Sequence, residues 1–148
     1  MFVETSDLGV YRGRVTMVDG GFDPLHAGHV AYFEAAAGLG LPVLCNVSSD
    51  EYVGRKHPPF LAHGERGAII DAIRFVDYTH LSRATTNEVL QLLQPRYYAK
   101  GADWRGRLPD EELATCRERG IEVVYLDTVV DSSTAVLERY AARAQRPA

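Results

Sequence analysis

Five short apolar runs, rich in β-branched residues, alternate with five segments of helical periodicity along this chain of 148 residues, and that alternation leaves few folds open. The strand-like runs are Val15 to Asp19, Pro42 to Val47, Val76 to Leu81, Arg96 to Lys100 and Ile121 to Leu126. The helical segments are His29 to Leu39, Gly64 to Phe75, Thr86 to Leu93, Asp110 to Arg119 and Ser133 to Ala144. Strands and helices taken in turn imply parallel strands joined by crossover helices. The expected fold class is therefore α/β: a Rossmann-like, doubly wound parallel sheet of five strands with helices on both faces. Ligands of such sheets sit beyond the carboxyl ends of the strands. Three polar loops fall there: the one after the first strand, Lys100 to Trp104 after the fourth, and Asp131 to Thr134 after the fifth.

This pattern occupies residues 14–140, the expected domain. Residues 1–13 read as an N-terminal extension, and 141–148 as a C-terminal tail or the start of a linker to a further domain. A hydrophobic content of 46% against 24% charged suits one domain with a substantial core. The net charge of −4 speaks against nucleic acid as a partner, because affinity for a phosphate backbone needs a clustered basic face. Cys45 and Cys116 fall in an apolar run and a helical segment, and read as reduced thiols rather than a disulfide framework. Nothing resembles a signal peptide or an 18-residue apolar span, so the expected setting is cytoplasmic.

The densest chemistry lies where the first strand hands over to the first helix, in Gly20-Gly21-Phe22-Asp23-Pro24-Leu25-His26-Ala27-Gly28-His29. Gly20 and Gly21 let the backbone approach a ligand closely or adopt positive φ. The helix that follows offers unpaired N–H groups and the positive end of its dipole, which together make an anion site. His26 and His29, three residues apart on the first turn, can both point at one bound phosphate. The two imidazoles lack a third ligand at suitable spacing, so no metal site is expected. Phosphate loops of the Gly-x-x-x-x-Gly-Lys type, dinucleotide fingerprints, paired Cys-x-x-Cys and Gly-x-Ser-x-Gly elbows are all missing from the sequence.

This decapeptide resembles the Gly-x-Phe-Asp-x-Leu-His-x-Gly-His signature of the HxGH nucleotidyltransferase superfamily, and every fixed position is present. The resemblance extends over about residues 14–140. It implies catalytic roles for His26 and His29 as donors to phosphate, with Gly20, Gly21, Phe22 and Asp23 at the nucleotide. The family places a basic loop before a Glu-Arg pair that opens the next helix, which here carries over Lys56 and Arg66 as contacts to the nucleotide phosphates. Lys100-Gly101-Ala102-Asp103-Trp104 is similar both to Lys-Gly-Gly-Asp-Tyr of heptose-phosphate adenylyltransferases and to Gly-Asp-Asp-Trp of glycerol-phosphate cytidylyltransferases. It implies that Lys100, Gly101, Asp103 and Trp104 meet the nucleoside, although Trp104 reads equally well as a packing anchor. Ser132, Ser133 and Thr134 open the last helix as a capping group, and they resemble the family's Ser-Thr-Thr motif that holds the triphosphate. The approach Asp127-Thr-Val-Val-Asp131 lacks the arginine of glycerol-phosphate enzymes, which puts that acceptor in doubt.

Asp71-Ala-Ile-Arg-Phe-Val-Asp77 resembles a segment that lies near a dimer interface in glycerol-phosphate and related cytidylyltransferases, so a homodimer is expected. Ile70, Ile73 and Phe75 also read simply as the end of a helix packed on the sheet. The function that the resemblance implies is a cytidylyltransferase moving CMP from CTP to a small phosphate- or phosphonate-bearing alcohol: glycerol phosphate, phosphoethanolamine or 2-hydroxyethylphosphonate. Pyrophosphate would leave, and Mg²⁺ would be bound through the nucleotide phosphates. The alternative is an adenylyltransferase using ATP on a sugar 1-phosphate or FMN. A third reading, from a different class, is a nucleotide-binding regulatory module without activity.

Overall fold

The computed structural model describes residues 1–128 and 132–145. Five strands form one sheet: β1 (Thr16–Gly20), β2 (Val43–Val47), β3 (Tyr78–Leu81), β4 (Tyr97–Gly101) and β5 (Glu122–Leu126). Their spatial order is β3-β2-β1-β4-β5 and every pairing is parallel. The order reverses beside β1, so the chain departs from the sheet in opposite directions at the carboxyl ends of β1 and β4, where a crevice opens.

Side chains alternate across the pleat and build two cores. On one face Val18, Val43, Cys45, Val47 and Ala99 pack under α1 (Ala27–Ala37) and α3 (His63–Asp71), with Phe33 and Ile70 completely buried. On the other face Met17, Leu44 and Tyr98 pack under α4 (Thr86–Leu93) and α5 (Asp110–Arg119). Burying one such side chain contributes about 1.5–3 kcal/mol, so the two layers bind the sheet firmly from both sides. Two more helices add to this frame: α2 (Asp50–Gly54), little more than one turn and capped by the Ser49 hydroxyl, and the twelve-residue α6 (Ser133–Ala144), capped by Ser132.

The regular elements follow the sequence expectations closely, and their boundaries move for local reasons. Helix α3 ends at Asp71 rather than Phe75, because the chain turns at Ala72–Arg74 to deliver Val76 to the core. Asp77 then clips the start of β2, its carboxylate accepting from the Val43 N–H at 2.8 Å. Residues 1–13 lie against the sheet: Phe2 bridges Thr79, Val3 donates to the Thr79 carbonyl, and Leu8, in a 3-10 segment Thr5–Tyr11, is completely buried. Cys45 and Cys116 are both free and buried. Asp131 and residues 146–148 of the expected tail lie outside the described residues.

Candidate active site

The crevice at the carboxyl ends of β1 and β4 is two connected pockets that share Gly21, Phe22, His29, Lys56, Asp103 and Trp104. Its back wall is the β1–α1 junction. An added Cβ at Gly21 would sit 2.9 Å from Val53, so only glycine lets α2 approach this closely. Phe22 is held at φ +51°, a region side chains rarely occupy, and its buried ring stands edge-on to His29 at 5.0 Å. The turn thus places α1 so that its N-terminus faces the crevice.

His26 and His29 are locked to that N-terminus through their inner nitrogens. His26 is the N-cap, and its Nδ1 accepts from the Gly28 N–H at 3.1 Å. The His29 Nδ1 accepts from the His26 N–H at 3.3 Å. A nitrogen that accepts carries no proton, so in each neutral ring the proton resides on Nε2, the outer nitrogen. The rings stack with centroids 3.8 Å apart. Burial, and then the His26 ring beside it, lower the pKa of His29 to about 3. His29 therefore presents a neutral N–H donor beside the His26 ring at a helix N-terminus, and a bound anion would favour adding charge to it.

The remaining expected residues divide between the walls of the crevice and its frame. Lys56 is exposed and borders both pockets. Ser132, Ser133 and Thr134 border the outer pocket, where the N-terminus of α6 joins that of α1; the Ser133 hydroxyl donates to the Pro24 carbonyl at 2.9 Å. Asp23 touches the same pocket, yet its carboxylate is spent on the frame, accepting from the N–H groups of Phe60 and Leu61 at 2.6 and 2.9 Å. It pins the basic loop to the turn. Arg66 stands apart from the crevice wall and is 1% exposed. Its guanidinium donates to the carbonyls of Leu61, Gly21 and Ser48 and to the Asp50 carboxylate at 2.7–3.1 Å. That bonding holds the carboxyl of Asp50 below the usual carboxylate range. In this structure Arg66 fastens three loops around the site.

Gly20 and Gly101 line the inner pocket, Asp103 is exposed at its mouth, and Lys100 lies at its floor. The Lys100 ammonium bonds the Asp19 carboxylate at 2.7 Å and sits 4.3 Å from the centre of the Trp104 ring. Asp19 also accepts from the Thr86 hydroxyl at 3.0 Å. Tyr98 donates to Glu112 at 3.1 Å, and burial followed by the nearby Asp19 raises the pKa of Glu112. Asp19, Thr86, Tyr98 and Glu112 form a polar floor that the sequence motifs did not announce. A charged residue ending an apolar strand was the one available signal for Asp19, whereas Glu112 looks like an ordinary acid in the first turn of a helix.

Fold and site together define a Rossmann-like domain with two stacked histidines capping a helix at its topological switch point. The chain belongs to the Cytidylyltransferase-like family, which it matches over residues 17–139. It is 32% identical over 133 residues to a protein named bifunctional protein HldE from Pelobacter propionicus, covering 85% of this chain and 27% of that one. It is 30% identical over 141 residues to the HldE protein of Nitratiruptor, covering 91% of this chain and 29% of that one. The chain thus spans under a third of these curated relatives. Among solved structures, a lipopolysaccharide core biosynthesis protein from Thermoplasma volcanium superposes with a TM-score of 0.68 at 23% identity, covering 79% of this chain and 98% of that one. That likeness establishes the shared fold. No helix among the described residues is long and apolar enough to cross a membrane.

Proposed function

We propose that this chain transfers a nucleotidyl group from a magnesium-bound nucleoside triphosphate to a phosphate oxygen of a small phosphorylated acceptor, releasing pyrophosphate. The observation that carries this reading is the pair of Nε2–H groups fixed at the α1 N-terminus, 3.8 Å apart from ring to ring, opposite Lys56 and the start of α6. An acceptor oxygen, ionised at neutral pH, attacks the α-phosphorus. The new O–P bond forms as the bond to the bridging oxygen breaks, and that electron pair leaves with pyrophosphate. Nothing need be deprotonated, so catalysis rests on positioning and charge stabilisation. His26 and His29 donate to the α-phosphate oxygens as charge builds, and Lys56 and the N–H groups of α6 receive the departing pyrophosphate. In this proposal Mg²⁺ enters as part of the nucleotide substrate, carried on its phosphates.

For the base, the HldE relatives favour ATP with a sugar phosphate as acceptor, whereas the Lys100–Trp104 segment resembles both classes. The second reading, CTP, is supported by the Ile73-Arg-Phe-Val-Asp77 segment that resembles cytidylyltransferases. Homodimerisation through that segment and a cytoplasmic setting belong to the same proposal. The test is pyrophosphate release in Mg²⁺ with ATP and CTP separately, against glycerol 3-phosphate, phosphoethanolamine, 2-hydroxyethylphosphonate and hexose 1-phosphates. Release with ATP and one sugar phosphate is the expected result, and CTP-only release selects the second reading. Nucleotide binding without release from any acceptor overturns transfer and leaves a regulatory module.

A further inference from the structure

Next to the crevice runs a second groove of about 400 Å³, between α2 and the start of α4, and the two meet at Ser48, Tyr52, Thr86 and Glu112. At its floor lies Asn46, the middle member of a row of polar side chains on adjacent strands. Asp19 pairs in register with Asn46 on β2, and Asn46 with His80 on β3, all at the carboxyl end of the sheet on the face covered by α4. Buried polar groups on a sheet interior cost free energy unless each is bonded, so the bonding pattern of this row shows what is committed and what is available.

Among the described residues Asn46 is committed at one end only. Its Oδ1 lies 2.7 Å from the Nδ1 of His80, and the Nε2 of His80 lies 2.9 Å from the Thr5 hydroxyl. His80 is 1% exposed, and burial lowers its pKa to about 4, so the ring is neutral and carries one proton. An amide oxygen only accepts, which assigns that proton to Nδ1 and makes Nε2 the acceptor for Thr5. The chain from Thr5 through His80 therefore fixes the rotation of the Asn46 amide and leaves its two N–H groups on the groove side. Nearby, the Asn87 Oδ1 finds no hydrogen-bond partner among the described residues, and Arg83 is exposed at the rim. The hydroxyls of Ser82, Thr85 and Thr86 are already engaged within the protein.

We propose that this groove is where the non-reacting part of the acceptor lies, and that Asn46 selects it by donating to a hydroxyl or similar oxygen, with Thr5 and His80 as positioning residues. The groove offers the oriented Asn46 amide donor, the Asn87 Oδ1, two rim guanidiniums and four glutamate carboxylates, a mixture of donors and acceptors that suits a polyhydroxylated chain or ring better than a bare alcohol. This rests on the transfer reading above and names the acceptor class for it.

The experiment is steady-state pyrophosphate release by the whole chain and by the Asn46→Asp and Thr5→Val variants, with hexose 1-phosphates and glycerol 3-phosphate as acceptor probes. Asn46→Asp is nearly isosteric, keeps an oxygen for His80 and replaces the outward N–H groups by an acceptor. It is expected to raise the KM for a hexose 1-phosphate at least about 10-fold, while the KM for the nucleotide stays within about 2-fold. Thr5→Val frees the amide to rotate and is expected to raise the acceptor KM by about 3-fold, again without touching the nucleotide. Glycerol 3-phosphate, too short to span the groove, is expected to respond less. A purely structural role for the row predicts equal effects on both substrates, or none on KM, and either result overturns the selection by Asn46 while leaving transfer intact. Silence of the unaltered chain with every acceptor overturns the transfer reading and removes the role of Asn46 with it.

Discussion

The Ser133 hydroxyl donates to the Pro24 carbonyl at 2.9 Å, joining positions 109 residues apart in the chain. This single bond ties the first turn of α6 to the segment between the glycine turn and the paired histidines. It explains how two helix N-termini can face one pocket although one belongs to the beginning of the fold and the other to its end. Ser133→Ala should loosen α6 and weaken the cradle for the outer phosphates. The expected result is a rise of about 3- to 10-fold in the KM for the nucleotide, the scale of one hydrogen bond, measured by pyrophosphate release.

His29 presents its outer N–H from a ring whose inner nitrogen is already committed to the backbone. His29→Ala removes that donor and should lower turnover at least ~100-fold, with far-ultraviolet circular dichroism unchanged. Turnover near that of the unaltered chain would refute the role given to it here.

Asp23 is 2% exposed and accepts two backbone N–H groups from the loop that carries Lys56. Truncating it to alanine removes the partner of both part-buried donors and leaves the loop unpinned. We expect a loss of about 2–4 kcal/mol in urea unfolding, together with faster proteolysis between residues 56 and 62. Equal protease resistance in the variant and the unaltered chain would show that the loop is held by something else.

Acid should weaken the fold through His80. Its pKa is about 4 when folded, against an unfolded imidazole near 6.5, lowered first by burial and then by His63. Between those two values the unfolded chain holds more protons than the folded one, so stability falls as pH drops from about 6.5 and the contribution is gone below about 4. His80→Gln cannot titrate. The stability gap between the unaltered chain and this variant should narrow by about 1 kcal/mol between pH 7 and pH 5 in urea titrations, and a constant gap would contradict the assignment.

Arg66 marks the boundary of what could be read from the chain alone. Its place after Glu65 at the start of a helix resembled a phosphate contact, and nothing local in the sequence could show that its guanidinium closes on the carbonyls of Gly21, Ser48 and Leu61. Those partners come together only once β1 and β2 pair and α3 packs beside them. Arg66→Lys, which cannot reproduce the planar fork, should therefore lower the midpoint of urea unfolding, with the KM for the nucleotide moving only as far as the loops do. The strands were legible for the opposite reason. Runs such as Val43 to Cys45 are buried on both faces and so are continuously apolar, a signal that survives without tertiary context. Helix α2 escaped notice because five residues make little more than one turn, and its N-cap Ser49 lies among polar neighbours. The Asn46–His80 pair was equally hidden, since strand register, not spacing, brings residues 34 positions apart into contact.

The ammonium of Lys100 rests between the carboxylate of Asp19 and the face of Trp104. A carboxylate backed by an indole is the kind of seat in which other proteins hold an alkylammonium guest. Here the protein has filled that seat with its own side chain. While the ion pair holds, that seat is closed to any cation from outside, and the crevice floor carries its positive charge as part of the chain itself.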